Sequence, residues 1–218
     1  MPTNYTDRIR RARLSLEGLS IGDAFGQQFF DPSMALRAKL TREPPPGRWR
    51  HTDDAEMAAA IYEVLVQHGT IHQDELARAF ARRFQAQPTR GYGHSTIRVL
   101  QTILNGGSWR DAATSAFGGE GSKGNGAAMR VAPLGAYFAD DLTAVEREAA
   151  ASAEVTHAHP EARDGAIAVA IAAAWAWQWS TQGRRGDRID LLRTAAAHTP
   201  PGTIRDGIDR AIGIDLDQ

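Results

Sequence analysis

Apolar residues recur every three or four positions over most of this chain of 218 residues, which is the spacing of one face of an α-helix. The alternation of apolar and polar residues that would indicate a half-buried strand is not found. The pattern therefore predicts helices nearly throughout. Their faces are marked by Met57, Ile61, Val64 and Leu65; by Leu76, Phe80 and Phe84; by Ile97, Leu100, Ile103 and Leu104; by Ala112, Ala113, Ala116 and Phe117; by Val145, Ala149 and Val155; and by the apolar residues of segments 166–177, 189–197 and 204–212.

Residues that start and stop helices stand at the ends of these segments. Asp74 is predicted to cap one helix, and Ser95 precedes another that the pair Gly106 and Gly107 should end. Pro160 opens the long alanine-rich helix at a first-turn position, where proline is tolerated. No internal repeat or heptad seam is found, so residues 1–218 are predicted to form one compact all-α domain.

Three stretches interrupt the helical pattern. Residues 43–47 (EPPPG) form a stiff loop before Trp49 and His51, residues 118–126 are rich in glycine, and residues 183–187 form a polar turn. Loops held on a rigid scaffold carry a large share of binding and catalytic residues. The function is therefore expected to lie on these connections.

Composition excludes several kinds of function. The chain has no cysteine, which rules out disulfides, zinc-thiolate sites, iron–sulfur clusters and cysteine nucleophiles. Its net charge of −1 argues against general nucleic-acid binding, which needs a basic face. The polar first residues lack the apolar core of a secretory signal, and segment 166–177 is too short to cross a bilayer. We expect a cytoplasmic protein without membrane association.

Thr52, Asp53 and Asp54 precede a predicted helix and suit either metal binding or helix capping. A hydroxyl and two carboxylates at a loop–helix junction can turn toward one point, and they are the hard oxygen ligands that magnesium or manganese prefers. Alternatively, Asp53 with Glu56 three residues later resembles a capping box, and acidic residues are favoured at helix starts. From these residues alone, capping is the simpler interpretation.

The glycine-rich loop at residues 118–126 suits either phosphate binding or a plain connection. A glycine loop that leads into a helix N-terminus presents free N–H groups and a positive dipole end to a phosphate or pyrophosphate. Gly119, Gly121 and Gly124 match the three-glycine dinucleotide pattern, but no strand precedes them, so a Rossmann site is rejected. No P-loop spacing is present either. Taken alone, a flexible surface loop is the simpler interpretation.

His157 and His159 stand two residues apart, just before the alanine-rich helix. A zinc site would need further ligands that the sequence does not identify. Local hydrogen bonding at a helix junction is therefore favoured over metal binding. A third possibility, intermediate between these two, is that an imidazole stacks against a base or a ribose.

The first helix holds a carboxylate in an unexpected setting. Gly18, Gly22 and Gly26 lie four residues apart on one helical face, which predicts close packing of another helix there. Asp23 stands among these small residues in an apolar stretch. A carboxylate in such a place must be hydrogen-bonded or must reach a site.

In their order and spacing, these segments together resemble the ADP-ribosylglycohydrolase family, which includes the dinitrogenase-reductase-activating glycohydrolases. The resemblance covers most of the chain and is most specific around residues 125–133. The matching segments are 17–26 (EGLSIGDAFG), 52–57 (TDDAEM), 124–135 (GNGAAMRVAPLG) and 156–166 (THAHPEARDGA). The resemblance implies a compact, orthogonal multi-helix fold with two magnesium ions in a cleft. It also implies hydrolysis of a glycosidic bond between ADP-ribose and a protein side chain, or of a related ADP-ribosyl compound.

The resemblance also assigns roles to individual residues. Thr52, Asp53 and Asp54 would bind Mg²⁺, or alternatively Mn²⁺, and Asp53 and Asp54 would be the catalytic carboxylates that help move a proton. His157 would line the ribose end of the substrate. The diphosphate and adenosine part would be held by Gly121, Ser122, Lys123, Gly124, Asn125, Gly126 and Met129.

The sequence departs from the family pattern at positions that bear on activity. Residues 215–218 (DLDQ) have the aspartate spacing of the family's late metal-binding motif, but they lack its threonine, so the chain is expected to lack that segment. Phe29 and Phe30, followed by Asp31, stand where many family members carry a glutamate, and Ala55 stands where a second threonine is usual. A site with about half its ligands should bind magnesium weakly, because magnesium gives up its waters reluctantly.

Three hypotheses of function follow. The chain is an ADP-ribosyl hydrolase, a non-catalytic ADP-ribose-binding protein, or a fragment without a function of its own. If the absent C-terminal helices normally cover the core, an apolar face would be exposed, and we expect self-association or a partner there.

Overall fold

The helices that apolar spacing predicts are present in the computed structural model, which describes residues 4–181, 183 and 187–214. No strand occurs among these residues, and the all-α prediction is confirmed. The α-helices are α1 (Tyr5–Gly26), α2 (Pro32–Thr41), α3 (Asp53–His68), α4 (Gln73–Ala86), α5 (His94–Leu104), α6 (Trp109–Thr114), α7 (Ala132–Tyr137), α8 (Leu142–Glu154), α9 (Pro160–Thr181), α10 (Arg188–His198) and α11 (Thr203–Ile212). Short 3₁₀ turns span Gln27–Phe30, Ala116–Gly119 and Asn125–Ala127.

The alanine-rich helix α9 lies at the centre of the fold and contacts α7, α8, α10 and α11. Its alanines allow close approach, and on α7 a Cβ atom at Gly135 would overlap the carbonyl oxygen of Ala170. Most of the circumference of α9 is buried, although Val169 is 39% exposed. The core continues through the apolar faces of α3, α4 and α8, as the spacing of their residues predicts.

Helix starts differ from prediction where a tertiary contact competes for the capping side chain. Asp74 was predicted to cap α4, but His72 is the N-cap residue and Asp74 lies in the first turn. The Asp74 carboxylate instead accepts a hydrogen bond from the indole N–H of Trp109 at 2.7 Å. The prediction was wrong because this partner is 35 residues away in the chain.

The face predicted from Ala112 to Phe117 is helical only in its first part. α6 ends at Thr114, and the chain then tightens into the 3₁₀ turn. Phe117 has a φ of 52° there, in the left-handed region, and its side chain is 61% exposed. This residue therefore does not pack on the core as the helical pattern predicts.

The second half of α1, the following 3₁₀ turn and α2 lie at the surface. No residue from 13 to 44 is buried, and Ile21, Phe30 and Leu40 are 65%, 83% and 75% exposed. The close packing predicted at Gly18 and Gly22 is wrong, since a Cβ atom on either would meet no described atom within 4 Å. The glycine face instead borders open space.

Two segments singled out from the sequence lie wholly or partly outside the residues that the structure describes. Residues 184–186 of the polar turn and residues 215–218 lie outside the described residues. Within the described part of the chain, no helix is long and apolar enough to cross a membrane.

Candidate functional site

A cleft of about 980 Å³ opens where α1, the start of α3, the residues before α5 and the glycine-rich loop meet. It is lined by three carboxylates on one side and by the glycine-rich loop on another. Its walls include Leu19, Gly22, Asp23, Gly26, Gln27 and Phe30; Thr52, Asp53 and Asp54; Gly91, Gly93, His94, Ser95 and Thr96; Phe117, Ser122, Gly124, Asn125, Gly126 and Met129; and His157.

Thr52, not Asp53, caps helix α3. Thr52 has extended backbone angles, and its Oγ1 accepts a hydrogen bond from the N–H of Asp54 at 3.3 Å. The capping-box interpretation of Asp53 and Glu56 is wrong, because the Glu56 carboxylate binds Arg83 at 3.0 Å and His51 at 2.8 Å. The side chain of Asp53 is thereby left to the cleft.

Asp23 ties α1 to the beginning of α3. Its carboxylate accepts hydrogen bonds from the N–H and the hydroxyl of Thr52, both at 2.7 Å, and from the N–H of Ala55 at 3.2 Å. These N–H groups belong to the first turn and its cap, where helix geometry leaves donors without partners. The requirement that this carboxylate be bonded is met, and Asp23 also reaches the cleft, which the sequence-based site had not included.

Carboxylates are crowded at this end of the cleft. Asp53 is only 8% exposed, and burial, followed by the charge of Asp54, raises its pKa to about 6. Burial and then the charge of Asp23 likewise raise the pKa of Asp54. Negative charge held out of water in this way favours a bound cation.

The donor set suits a hard divalent cation only in part. Thr52, Asp53 and Asp54 supply the oxygen ligands that magnesium accepts. Among residues 4–181, 183 and 187–214, however, no three histidine or acidic side chains converge as a metal-binding group. The chemistry of these residues therefore fits magnesium, but their number falls short of a closed site.

Arg130 supports the opposite wall from inside the core. It is fully buried, and it donates hydrogen bonds to the Thr156 hydroxyl at 2.9 Å and the Ser152 carbonyl at 2.8 Å. Its guanidinium lies 4.3 Å from the centre of the Phe80 ring. Burial lowers its pKa to about 9, against an opposing effect of Asp53. The sequence analysis missed Arg130, although an arginine inside the apolar run AAMRVAPLG is a signal for it.

These contacts surround His157. The Thr156 hydroxyl accepts from Arg130 and lies 2.7 Å from Nδ1 of His157, a geometry that suits donation of its proton to Nδ1. Burial, followed by the charge of Arg130, lowers the pKa of His157 to about 3 and favours the neutral ring. In the tautomer that matches this geometry, Nε2 carries the proton beside Gly126, at the cleft wall. His159 takes no part in the cleft and accepts the N–H of Glu161.

The glycine-rich loop is packed at Gly121, Ser122 and Gly126, whereas residues 118–120 and 123–125 are exposed, so its interpretation as a surface loop holds only in part. A Cβ atom on Gly121 would lie 2.7 Å from the N atom of His159, and one on Gly126 would lie 2.5 Å from Cε1 of His157. The expected helix after the loop is only the 3₁₀ turn Asn125–Ala127, so backbone N–H groups rather than a helix dipole would face a phosphate. Ser122 is buried in the cleft wall.

The predicted substrate residues are not all brought to the cleft. Ser122, Gly124, Asn125, Gly126, Met129 and His157 line it. Gly121 is buried and Lys123 is exposed, and neither belongs to the cleft lining. Phe117, which the sequence analysis placed on a helix, lines the cleft with its ring exposed. The following Gly118 and Gly119 are the signal that could have placed it on a turn.

Comparison with known proteins agrees with this description. The family model described as ADP-ribosylglycohydrolase matches residues 2–217. ADP-ribosylhydrolase ARH3 of Homo sapiens is 33% identical over 175 residues, which cover 73% of this chain and 48% of the relative. ADP-ribosyl-(dinitrogen reductase) glycohydrolase of Rhodospirillum rubrum is 30% identical over 159 residues, covering 69% of this chain and 52% of the relative. The chain thus spans about half the length of these curated relatives.

A solved structure shows the same fold. The structure titled ADP-ribosylglycohydrolase-related protein complex superposes with a TM-score of 0.56 and 22% sequence identity. The match covers 95% of this chain and 75% of that chain. The helical arrangement described above is therefore shared with a known architecture over nearly the whole chain.

Proposed function

The chain belongs to the ADP-ribosylglycohydrolase family, and we propose on that basis that its cleft binds an ADP-ribosyl compound and promotes hydrolysis of the bond to the distal ribose. The observation that carries the proposal is the cleft itself. It joins the carboxylates at the start of α3 to the glycine-rich loop and His157 in one space. A volume of about 980 Å³ lies at the upper end of the range for small-molecule sites.

The polarity of the cleft orients the ligand. Backbone N–H groups of the loop and the Ser122 hydroxyl suit the diphosphate, which needs donors. The exposed ring of Phe117 offers a stacking face for the adenine base. The Nε2–H of the neutral His157 would donate to a ribose or phosphate oxygen. The ribose that bears the acceptor would then lie at Thr52, Asp53 and Asp54.

A divalent cation belongs to the proposal, with Thr52, Asp53 and Asp54 as its protein ligands and Mg²⁺ or Mn²⁺ as the candidates. When bound, it would supply ribose coordination and acidify a water molecule. The carboxylates of Asp53 and Asp54 would orient a water molecule in the cleft and accept its proton. Asp23 acts through Thr52, because its two hydrogen bonds hold that residue at the head of α3.

One observation favours a second function, ADP-ribose binding without hydrolysis. No closed metal-binding group exists among the residues that the structure describes, while Ser122, Gly124, Asn125 and Gly126 of the glycine-rich loop line the cleft. Such a protein would hold the ligand through the loop and His157 and leave the bond intact.

Two measurements on the purified chain separate these functions. Titration with ADP-ribose measures binding, and release of ADP-ribose from serine-linked and arginine-linked peptides measures hydrolysis, each with magnesium and with chelator. Magnesium-dependent release supports the hydrolase. Binding without release supports the binding protein. Neither binding nor release would overturn both.

A further inference from the structure

A second cavity, of about 440 Å³, adjoins the cleft at the carboxylate end. The two share Gln27, Thr52 and Gly91, but the second contains no residue of the glycine-rich loop. Its other lining residues are Trp49, Arg50, His51, Gln87, Thr89 and Arg90. We refer to it as the acceptor cavity. The shared residues make it a continuation of the cleft on the side away from the loop.

The walls of the acceptor cavity are preorganised by hydrogen bonds. The indole N–H of Trp49 donates to the carbonyl of Pro45 at 2.9 Å, within the stiff proline segment. The Arg90 guanidinium donates to the carbonyl of His51 at 2.9 Å, and the carbonyl of Arg90 accepts the N–H of Asp53 at the same distance. The cavity and the carboxylate cluster are therefore held in one frame.

The charge of the acceptor cavity is opposite to that of the cleft. None of its described lining residues is acidic, and Arg50 and Arg90 are both basic. Arg50 is exposed and makes no hydrogen bond or ion pair with any described residue, and the Nε of Arg90 is buried without a partner. The exposed guanidinium of Arg50 is therefore available to bind a carboxylate.

We propose that the acceptor cavity receives the peptide attached to ADP-ribose and that it favours acidic residues beside the modified side chain. The inference rests on the proposed function. If the ADP part follows the glycine-rich loop and the distal ribose lies at Thr52 and Asp53, the glycosidic bond leaves the ribose where the two cavities meet. The attached peptide then enters the adjoining acceptor cavity, which lacks the loop residues.

The test compares three ligands: ADP-ribose, and two serine-ADP-ribosylated peptides that differ only in flanking glutamates or lysines. Binding is measured by calorimetric titration in magnesium at low ionic strength, and ligand integrity is checked by mass spectrometry. We expect the acidic peptide to bind more tightly than the basic one. Arg50→Gln should reduce that ratio by on the order of threefold, the size expected for an exposed ion pair.

Arg48→Gln is the matched control, because Arg48 is an exposed neighbouring arginine outside the cavity lining. It should leave the ratio unchanged. Equal affinity for the two peptides, or equal effects of the two substitutions, would overturn the proposed role of the acceptor cavity. Binding of ADP-ribose in the same experiment would still support the proposed function. Failure of the unsubstituted protein to bind ADP-ribose would overturn both.

Discussion

Among single residues, Thr52 combines three structural roles. Its backbone starts α3, its hydroxyl bonds Asp23, and its position borders both cavities. The carboxylates around it repel one another in a partly buried place, an arrangement that costs stability unless a cation is bound. Removing one of these charges should therefore raise the free energy of unfolding and, at the same time, weaken ligand binding.

Asp53→Asn tests that opposition. Removing a buried negative charge beside Asp54 should raise the free energy of unfolding in chelator by about 1 kcal/mol, as measured by urea denaturation at pH 7.5. If Asp53 binds the cation as proposed, the same substitution should weaken magnesium-dependent binding of ADP-ribose by about tenfold or more, because the proposed metal site loses a ligand. Asp209→Asn, at an exposed carboxylate, should change neither quantity. A destabilised Asp53→Asn protein would contradict the charge argument.

The buried neutral His157 predicts acid sensitivity. Its folded pKa of about 3 lies below the unfolded value near 6.5, so the unfolded chain takes up the proton first as pH falls. The contribution of His157 to the free energy of unfolding is fully present above pH 6.5. It declines below that pH, by about 2 kcal/mol between pH 7.5 and pH 5. His157→Asn should flatten the profile of unfolding free energy by that amount. Parallel profiles for the two proteins would exclude this role.

The helices as elements show which features the sequence could predict. The faces marked by Met57, Ile61 and Leu65 were found because helical spacing is a local property, and all three are fully buried. The cap at Asp74 and the turn at Phe117 were missed because distant contacts and left-handed backbone angles decide them. Local pattern therefore predicted the scaffold better than the connections.

The candidate site follows the same division. The segment containing Asp53 and the loop containing Asn125 were identified by resemblance, and the structure brings both to one cleft. The roles proposed for them stay predictions. Asp23 and Arg130 were not assigned, because their partners lie at least 29 and 22 residues away, respectively, and only the folded chain brings them together. Helical spacing can be recognised within one segment of sequence. The burial of a charged side chain cannot, because it depends on segments that are distant in the chain.

Packing of α7 against α9 gives a prediction for an element contact. Gly135→Ala would place a methyl group against the backbone carbonyl of Ala170, which cannot move without shifting a whole helix. We expect a loss of about 2 kcal/mol or more in thermal or urea unfolding. Gly18→Ala is the matched control, since its Cβ meets nothing and helix propensity favours alanine by up to about 1 kcal/mol. Equal effects of the two substitutions would refute the close approach.

For the molecule as a whole, polarity is arranged along one path. Donors lie along the glycine-rich loop, carboxylates lie at the start of α3, and arginines lie beyond them in the acceptor cavity. Under the proposed function, these three regions would face the diphosphate, the ribose and the acidic acceptor peptide in turn. This order of charges is the one that the proposed acceptor cavity requires.

The surface formed by residues 13–44 predicts that this chain associates with other copies of itself. Phe30 and Leu40 are 83% and 75% exposed there, and no residue of the segment is buried. Leu14, Ile21, Phe25 and Leu36 of the same segment are exposed as well, and exposed apolar surface of this extent favours contact with another protein. We expect the chain to elute larger than a monomer in size-exclusion chromatography with light scattering, and the double substitution Phe30→Ser with Leu40→Ser to reduce that mass. Since neither side chain is buried, unfolding free energy should change little. A monomer at all concentrations would contradict the prediction.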